Sequence, residues 1–351
     1  MSKYIEPNES GLFDKAARLE ELQEMGDPLA RLDEVIDWTL FEPVLGQIPK
    51  AEPKGLGGRP AFRALLMFKA MVIQNLYQLS DQQLEFQVTD RLSFKRFLAL
   101  TDADKSPDEK TFWAFRETLT SNQLIEPLFE RFHAVLEAKG MFARKGQMVD
   151  ATFVEVPRQR NSREENATIK AGAAPKEWED QPEKARQKDL DARWTRKRGE
   201  RHYGYKNHVK VDSRSKLIED FAVTPASVHD SQVLEELIAE GDPTTYVDSA
   251  YTGAPCAAVF AARKVEAKPI ERAYRNKPLN GRQKRTNRAR SKIRVRVEHV
   301  FATMRMCMRS AWNRCIGLTR NRAAIALTNL VYNMVRFEQI KRLGLKNWKV
   351  A

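Results

Sequence analysis

The chain is poor in cysteine: Cys256, Cys307 and Cys315 are all that its 351 residues hold. An odd number at scattered spacings makes neither a disulfide framework nor a zinc-ligand pattern. The expected role of all three is small apolar packing in a reducing compartment. The sequence also has no apolar run near the roughly 18 residues that a membrane span needs. The opening MSKYIEPNESGLFDKAARLEEL has no apolar core of the signal-peptide kind. Membrane spanning and secretion are therefore not expected, and a cytoplasmic location is. There is no internal repeat. There is no aromatic-rich ribonucleoprotein motif either, which counts against an RNA-binding factor.

What the chain has in excess is positive charge. Sixty Lys and Arg face 47 Asp and Glu, for a net charge of +13 and a pI of about 9.6. The surplus must lie on the surface, and its natural partners are nucleic acid or anionic lipid. With 42% hydrophobic residues the chain can still bury a sizeable core. Its length allows two domains or one large one.

The patterning changes along the chain. Residues 1–36 are polar and acidic and read as an arm. From 37 to about 119 the period is helical: Phe62, Leu65, Leu66, Val72, Ile73 and Leu76 recur at three- and four-residue steps. Pro60 suits a helix N-terminus, Ser80 a cap, and Ser106 with Pro107 a further helix start. Lys95, Arg96, Lys105, Lys110 and Arg116 surround these short helices. Either a helix-turn-helix-like DNA reader or a plain bundle fits. After Gly146 strands begin: QMVDATFVEV, two strands about a turn near DSRSK, then TTYV and VEAKPIE, with helices between the later ones. This order predicts an α/β fold with one mixed, five-stranded central sheet. Residues 157–201 interrupt it with a charged insertion, read as a loop. Trp178 and Trp194 within it are candidates for clamping DNA or stacking on a flipped base, against a merely solvated loop.

Three acids fall in or beside these core elements: Asp150 in the first strand, Asp248 after TTYV, and Glu298 on a late helix. Buried carboxylates are costly unless a cation satisfies them, and a divalent metal does so well. On that helix Ile293, Val297, Val300, Met304 and Met308 form the core stripe. Arg294, Glu298, Arg305 and Arg309 lie on the strip beside it. Taken alone, Arg294 and Glu298 at four residues also make an ordinary helix-surface ion pair. Lys206 and His208 share one face of a strand beside Asp150, with Tyr205 on the other, and are candidate DNA contacts. His229 and Asp230 fit either an N-cap or a site role, and His299 turns away from Glu298.

These stretches resemble bacterial insertion-sequence transposases of the DDE class, in the group that includes the insertion-sequence-five family. That group carries a signature Tyr, two residues, Arg, three residues, Glu, six residues, Lys. Arg294, Glu298 and Arg305 match its spacing, with Ser291 at the Tyr position and Arg305 in place of Lys. MVDATFVEVP, YGYKNHVKVD, VTPASVHDS and VDSAYTGAP are similar to its strands and acid-bearing loops. The resemblance runs from about residue 37 to about 337. It implies an RNase H-like catalytic domain over 141–340, a helical DNA-binding domain over 37–140 and a tail over 341–351. It also implies that Asp150, Asp248 and Glu298 are catalytic and hold Mg2+, with Mn2+ as a substitute, for two-metal phosphoryl transfer. From their place on the strip beside Glu298, Arg294, Arg305 and Arg309 are candidate DNA-phosphate contacts. The expected partner is double-stranded DNA, both transposon ends and target, bound by a homo-oligomer at the nucleoid. The rival readings are a metal-dependent nuclease that cuts without joining and an inactive DNA-binding remnant.

Overall fold

A computed structural model describes residues 11, 13–49, 60–197, 199–275 and 278–345. The first ten residues of the expected arm and the last six of the tail lie outside these.

Alternation of apolar side chains sets the sheet. The strands are β1 (Gln147–Glu155), β2 (Arg193–Lys197), β3 (Glu200–Asp212), β4 (Ile218–Pro225), β5 (Thr245–Val247) and β6 (Ala267–Pro269). β4, β3 and β1 run antiparallel, while β5 joins β1 and β6 joins β5 in parallel. The path β4-β3-β1-β5-β6 is the mixed, RNase H-like sheet expected. A sixth strand, β2, pairs with the N-terminal end of β3.

Each face of the sheet is covered. On one, Met148, Val209 and Val211 join the core of the two long helices, Gly281–Met308 and Leu318–Arg342. On the other, Val149, Ala222 and Val247 pack with Leu234, Tyr251 and Phe260. Helix Gly281–Met308 buries Val297, Val300, Met304 and Met308, with Ile293 packed beside them, which is the stripe read from its periodicity. An Asn280–Gln283 capping box fixes its start.

The N-terminal helices do not form a core of their own. Leu29, Phe41, Phe68, Phe94 and Phe132 share one apolar cluster with Val209, Val300 and Phe337. Two arm helices, Asp14–Glu24 and Pro28–Val35, are ordered, and Leu29 and Leu32 of the second are buried. Three of the five bundle cations are spent inside the protein: Arg116 on Asp81, Arg96 on Asp27 and Lys95 on Asp102. That pairing favours the bundle reading of these helices. Helix Glu109–Ser121 is capped by Asp108 rather than Ser106, because the Asp108 carboxylate accepts from the Thr111 N–H. The helix after Pro60 starts four residues later, at Ala64.

The charged insertion is folded, which corrects its reading as a loop. It holds helices Arg163–Lys170 and Pro182–Arg186, a turn at Lys176–Trp178, and β2. Its organising group is Asp189, almost fully buried. Asp189 accepts from the Asp191 and Ala192 N–H groups, the Tyr205 hydroxyl at 2.7 Å and the Gly317 N–H at 3.0 Å. Polar residues hold the insertion where aliphatic ones are missing.

Candidate active site

Asp150 is the fourth residue of β1, on the face that meets helix Gly281–Met308. Its side chain is buried, and its Oδ2 accepts from Arg294 Nη1 at 2.5 Å. Its Oδ1 accepts from the Ala151 N–H. Burial pushes the carboxyl up to about 6. The Arg294 charge and the Ala151 N–H oppose that rise, and the nearby Asp248 and Glu298 charges add to it. Asp248 and Glu298 are thus each within electrostatic reach of Asp150. Asp150 holds its charge only with help from a cation.

Asp248 follows β5 and caps the turn Ser249–Tyr251, its Oδ1 accepting from the Ala250 N–H at 2.7 Å. Glu298 lies on the exposed edge of the long helix and makes no hydrogen bond or ion pair among the described residues. The local Arg294–Glu298 pair that spacing allows is not formed: Arg294 reaches across to Asp150 instead. Arg305, two turns on, donates from Nη2 to the Thr152 hydroxyl at 2.6 Å. Arg294 and Arg305 therefore brace alternate residues of β1, one on each side of Glu298 along the helix. Thr152 is a site residue that the sequence reading missed. Strand alternation from Asp150 is the signal that points to it. Arg309 is exposed, but it is the left-handed residue that ends the helix, at φ 41°, and so leaves the line of Arg294 and Arg305.

Lys206 and His208 correct the expectation that they line a DNA channel. Lys206 is buried and donates to Asp230 Oδ1 and the Val228 carbonyl, both at 2.7 Å. His208 is fully buried, with Nε2 2.9 Å from the Thr224 hydroxyl. Burial drives its pKa down to about 4, so it is neutral at pH 7. The two do share a face, but it is the face away from Asp150: Lys206 lies opposite Phe153 and His208 opposite Ala151, whereas Asp150 lies opposite Val209. Tyr205 points the other way, to Asp189. His229 takes the capping role, accepting from the Ser231 N–H, and His299 is exposed. Trp178 is buried with its Nε1 donating to Glu165, whereas Trp194 on β2 is about half exposed with Arg158 over its ring.

The donor chemistry of the acids suits a hard divalent cation: every available atom is a carboxylate oxygen. The arrangement itself is not a formed metal cage. Among the described residues no three His, Cys, Asp or Glu side chains are gathered closely enough to hold a metal ion. The Asp150 carboxylate is engaged by Arg294 and the Ala151 N–H, and one Asp248 oxygen by the Ala250 N–H.

A mixed sheet in this strand order, with Asp150 within its central strand, Asp248 just after the next and Glu298 on the helix that crosses it, has the RNase H-like arrangement of elements. The chain belongs to the transposase DDE domain family, which it matches over residues 142–334, more than half its length. Residues 17–118 match a second family, described as transposase domain (DUF772). By family the protein is a DNA transposase, an enzyme of the polynucleotidyl transferase class. Among solved structures it is similar to one described as the cryo-EM structure of piggyBac transposase synaptic complex with hairpin DNA. The two share 12% identity at a TM-score of 0.44, over 92% of this chain and 77% of that one. No helix among the described residues is long and apolar enough to cross a membrane.

Proposed function

We propose that the protein cuts DNA at the terminal inverted repeats of an insertion sequence and joins the freed 3′-OH to target DNA. Asp150, Asp248 and Glu298 are its catalytic acids. The observation that carries this reading is Asp150: a carboxylate in the central strand whose pKa is raised chiefly by burial, with Asp248 and Glu298 adding to the rise and Arg294 opposing it. Membership of the insertion-sequence-five group is supported by Arg294, Glu298 and Arg305 at the signature spacing.

The same three acids would hold Mg2+, or Mn2+ in its place. When bound, such a cation supplies Lewis-acid activation of water and of the leaving 3′ oxygen of a phosphodiester. The chain's own residues do the rest. Asp150, fixed by β1, sets the centre of the site. Asp248, from the turn that follows β5, and Glu298, from the crossing helix, complete the set. Arg294 and Arg305 bracket Glu298 and are placed to grip backbone phosphates on either side of the reacting one. Arg305 in place of lysine keeps the charge and adds a fork for bidentate contact. The protein works on duplex DNA as a homo-oligomer, in the cytoplasm at the nucleoid.

Alanine at any one of the three acids should abolish magnesium-dependent end cleavage while end binding persists. Retained cleavage, or loss of binding in all three variants, sinks the assignment. Strand-transfer products from pre-cleaved ends and a target plasmid separate a transposase from a nuclease that only cuts.

A further inference from the structure

Helix Gly281–Met308 runs more than three turns ahead of Arg294, the first of its residues to engage the acids. From Gly281 to Val297 it contains no acidic side chain. One of its faces is tied down. Gln283 Nε2 donates to Glu271 Oε2, Asn287 donates to the Glu271 carbonyl and accepts from the Glu271 N–H, and Arg290 donates to the Pro269 carbonyl. The chain leaving β6 thus straps the helix in place, and the Asn280–Gln283 box stops its start from fraying.

The opposite face carries Lys284, Arg288 and Lys292 at four-residue steps, with Arg285 beside them. All four are exposed, and their side chains make no hydrogen bond or ion pair among the described residues. Four residues of helix rise about 6 Å, so Lys284 to Lys292 spans about 12 Å. A DNA strand presents a phosphate about every 3.4 Å along the axis, so three or four phosphates pass this stripe. Salt bridges elsewhere on the surface use up cations, but here the charge is uncompensated and its rod is rigid.

We infer that Lys284, Arg285, Arg288 and Lys292 form a preformed, sequence-independent rail for the backbone of duplex DNA. The rail begins roughly 9 Å along the helix before Glu298. It holds the duplex that runs on from the reacting phosphodiester. The inference rests on the transposase reading and adds the surface that carries the non-specific part of binding. The contacts assigned to the rail are to phosphates, whose even spacing a regular row of cations matches.

The test is binding of the full chain to a random-sequence duplex of about 30 base pairs across a salt series. Replacing all four residues by alanine should lower the slope of log K against log salt by about 3.6. Affinity at low salt should fall tenfold or more, and the melting temperature should not change. A charge-matched control, alanine at the exposed Lys139, Lys145, Lys264 and Lys341, should leave the slope nearly unchanged. If the fourfold variant does not fold, the double variant Lys284→Gln, Arg288→Gln should show about half the change. An unchanged slope, an equal fall in the control, or a wild type that does not bind duplex DNA overturns the rail. So does a variant that loses binding to anionic vesicles but keeps DNA. End cleavage by wild type, scored in parallel, reports separately on the transposase reading.

Discussion

Replacing Asp150 by asparagine should make the protein more stable at pH 8 while abolishing its chemistry. The unfolded carboxyl titrates near 3.8, and the folded one is pushed up to about 6, chiefly by burial. Between those values the folded state binds more protons than the unfolded state. The stability this confers is present in full below pH 3.8 and is lost as pH rises through 6. Two pKa units at 1.36 kcal/mol each put the cost of the ionised carboxylate at about 3 kcal/mol at pH 8. At pH 5 only about half of that cost has been incurred. Asparagine keeps the shape and carries no charge, and Arg294, part exposed, stays solvated when its partner is removed. With about 2.1 cal/mol/K of unfolding entropy per residue, 3 kcal/mol corresponds to a rise of about 4 °C in melting temperature. Thermal denaturation of both proteins from pH 5 to pH 8 reads the effect directly. A gain that does not grow with pH, or an Asp150→Asn protein less stable than wild type at pH 8, refutes the reasoning.

Asp189→Ala removes the acceptor of four donors, from the insertion, from β3 and from the start of the last helix. It should cost about 3 to 5 kcal/mol in urea denaturation; a loss under about 1 kcal/mol would show that the insertion is held by something else. Trp194→Ala takes away the one half-exposed indole of the insertion. Affinity for an unpaired or extruded base should fall fivefold or more, as stacking on one aromatic ring is worth about 1–3 kcal/mol. Fluorescence anisotropy with gapped and fully paired duplexes tests this, and equal binding of the gapped DNA by both proteins argues against stacking.

The sheet and the long helix were legible because their signals are local. Alternation in MVDATFVEV and the stripe through Val297, Val300 and Met304 each need only a dozen residues to declare a period. The two partners of the helix arginines were not legible, since Asp150 and Thr152 lie 144 and 153 positions away. Spacing alone offered Arg294 the nearer Glu298, and the fold chose the buried carboxylate, whose need for a cation is greater. Lys206 and His208 show the converse limit. Alternation placed them on one face correctly but says nothing about what covers that face. The insertion's order had a readable sign, Ser162 followed three residues later by Glu165, which forms a capping box. Its high charge concealed it.

The last helix, Leu318–Arg342, has a bearing on how the gene can fail. Phe41 stacks on Phe132, whose ring meets Phe337 edge-on, and Arg31 near the start pairs with Glu338 near the end. The chain's earliest helices thus wait for its final ones before their apolar faces can close. A ribosome that stops early, at a nonsense codon or a frameshift, releases a fragment without a finished interior. Such a fragment, with that apolar surface open, is expected to be cleared by proteases before it competes for DNA. A damaged copy would then fall silent without poisoning an intact one beside it in the same cell.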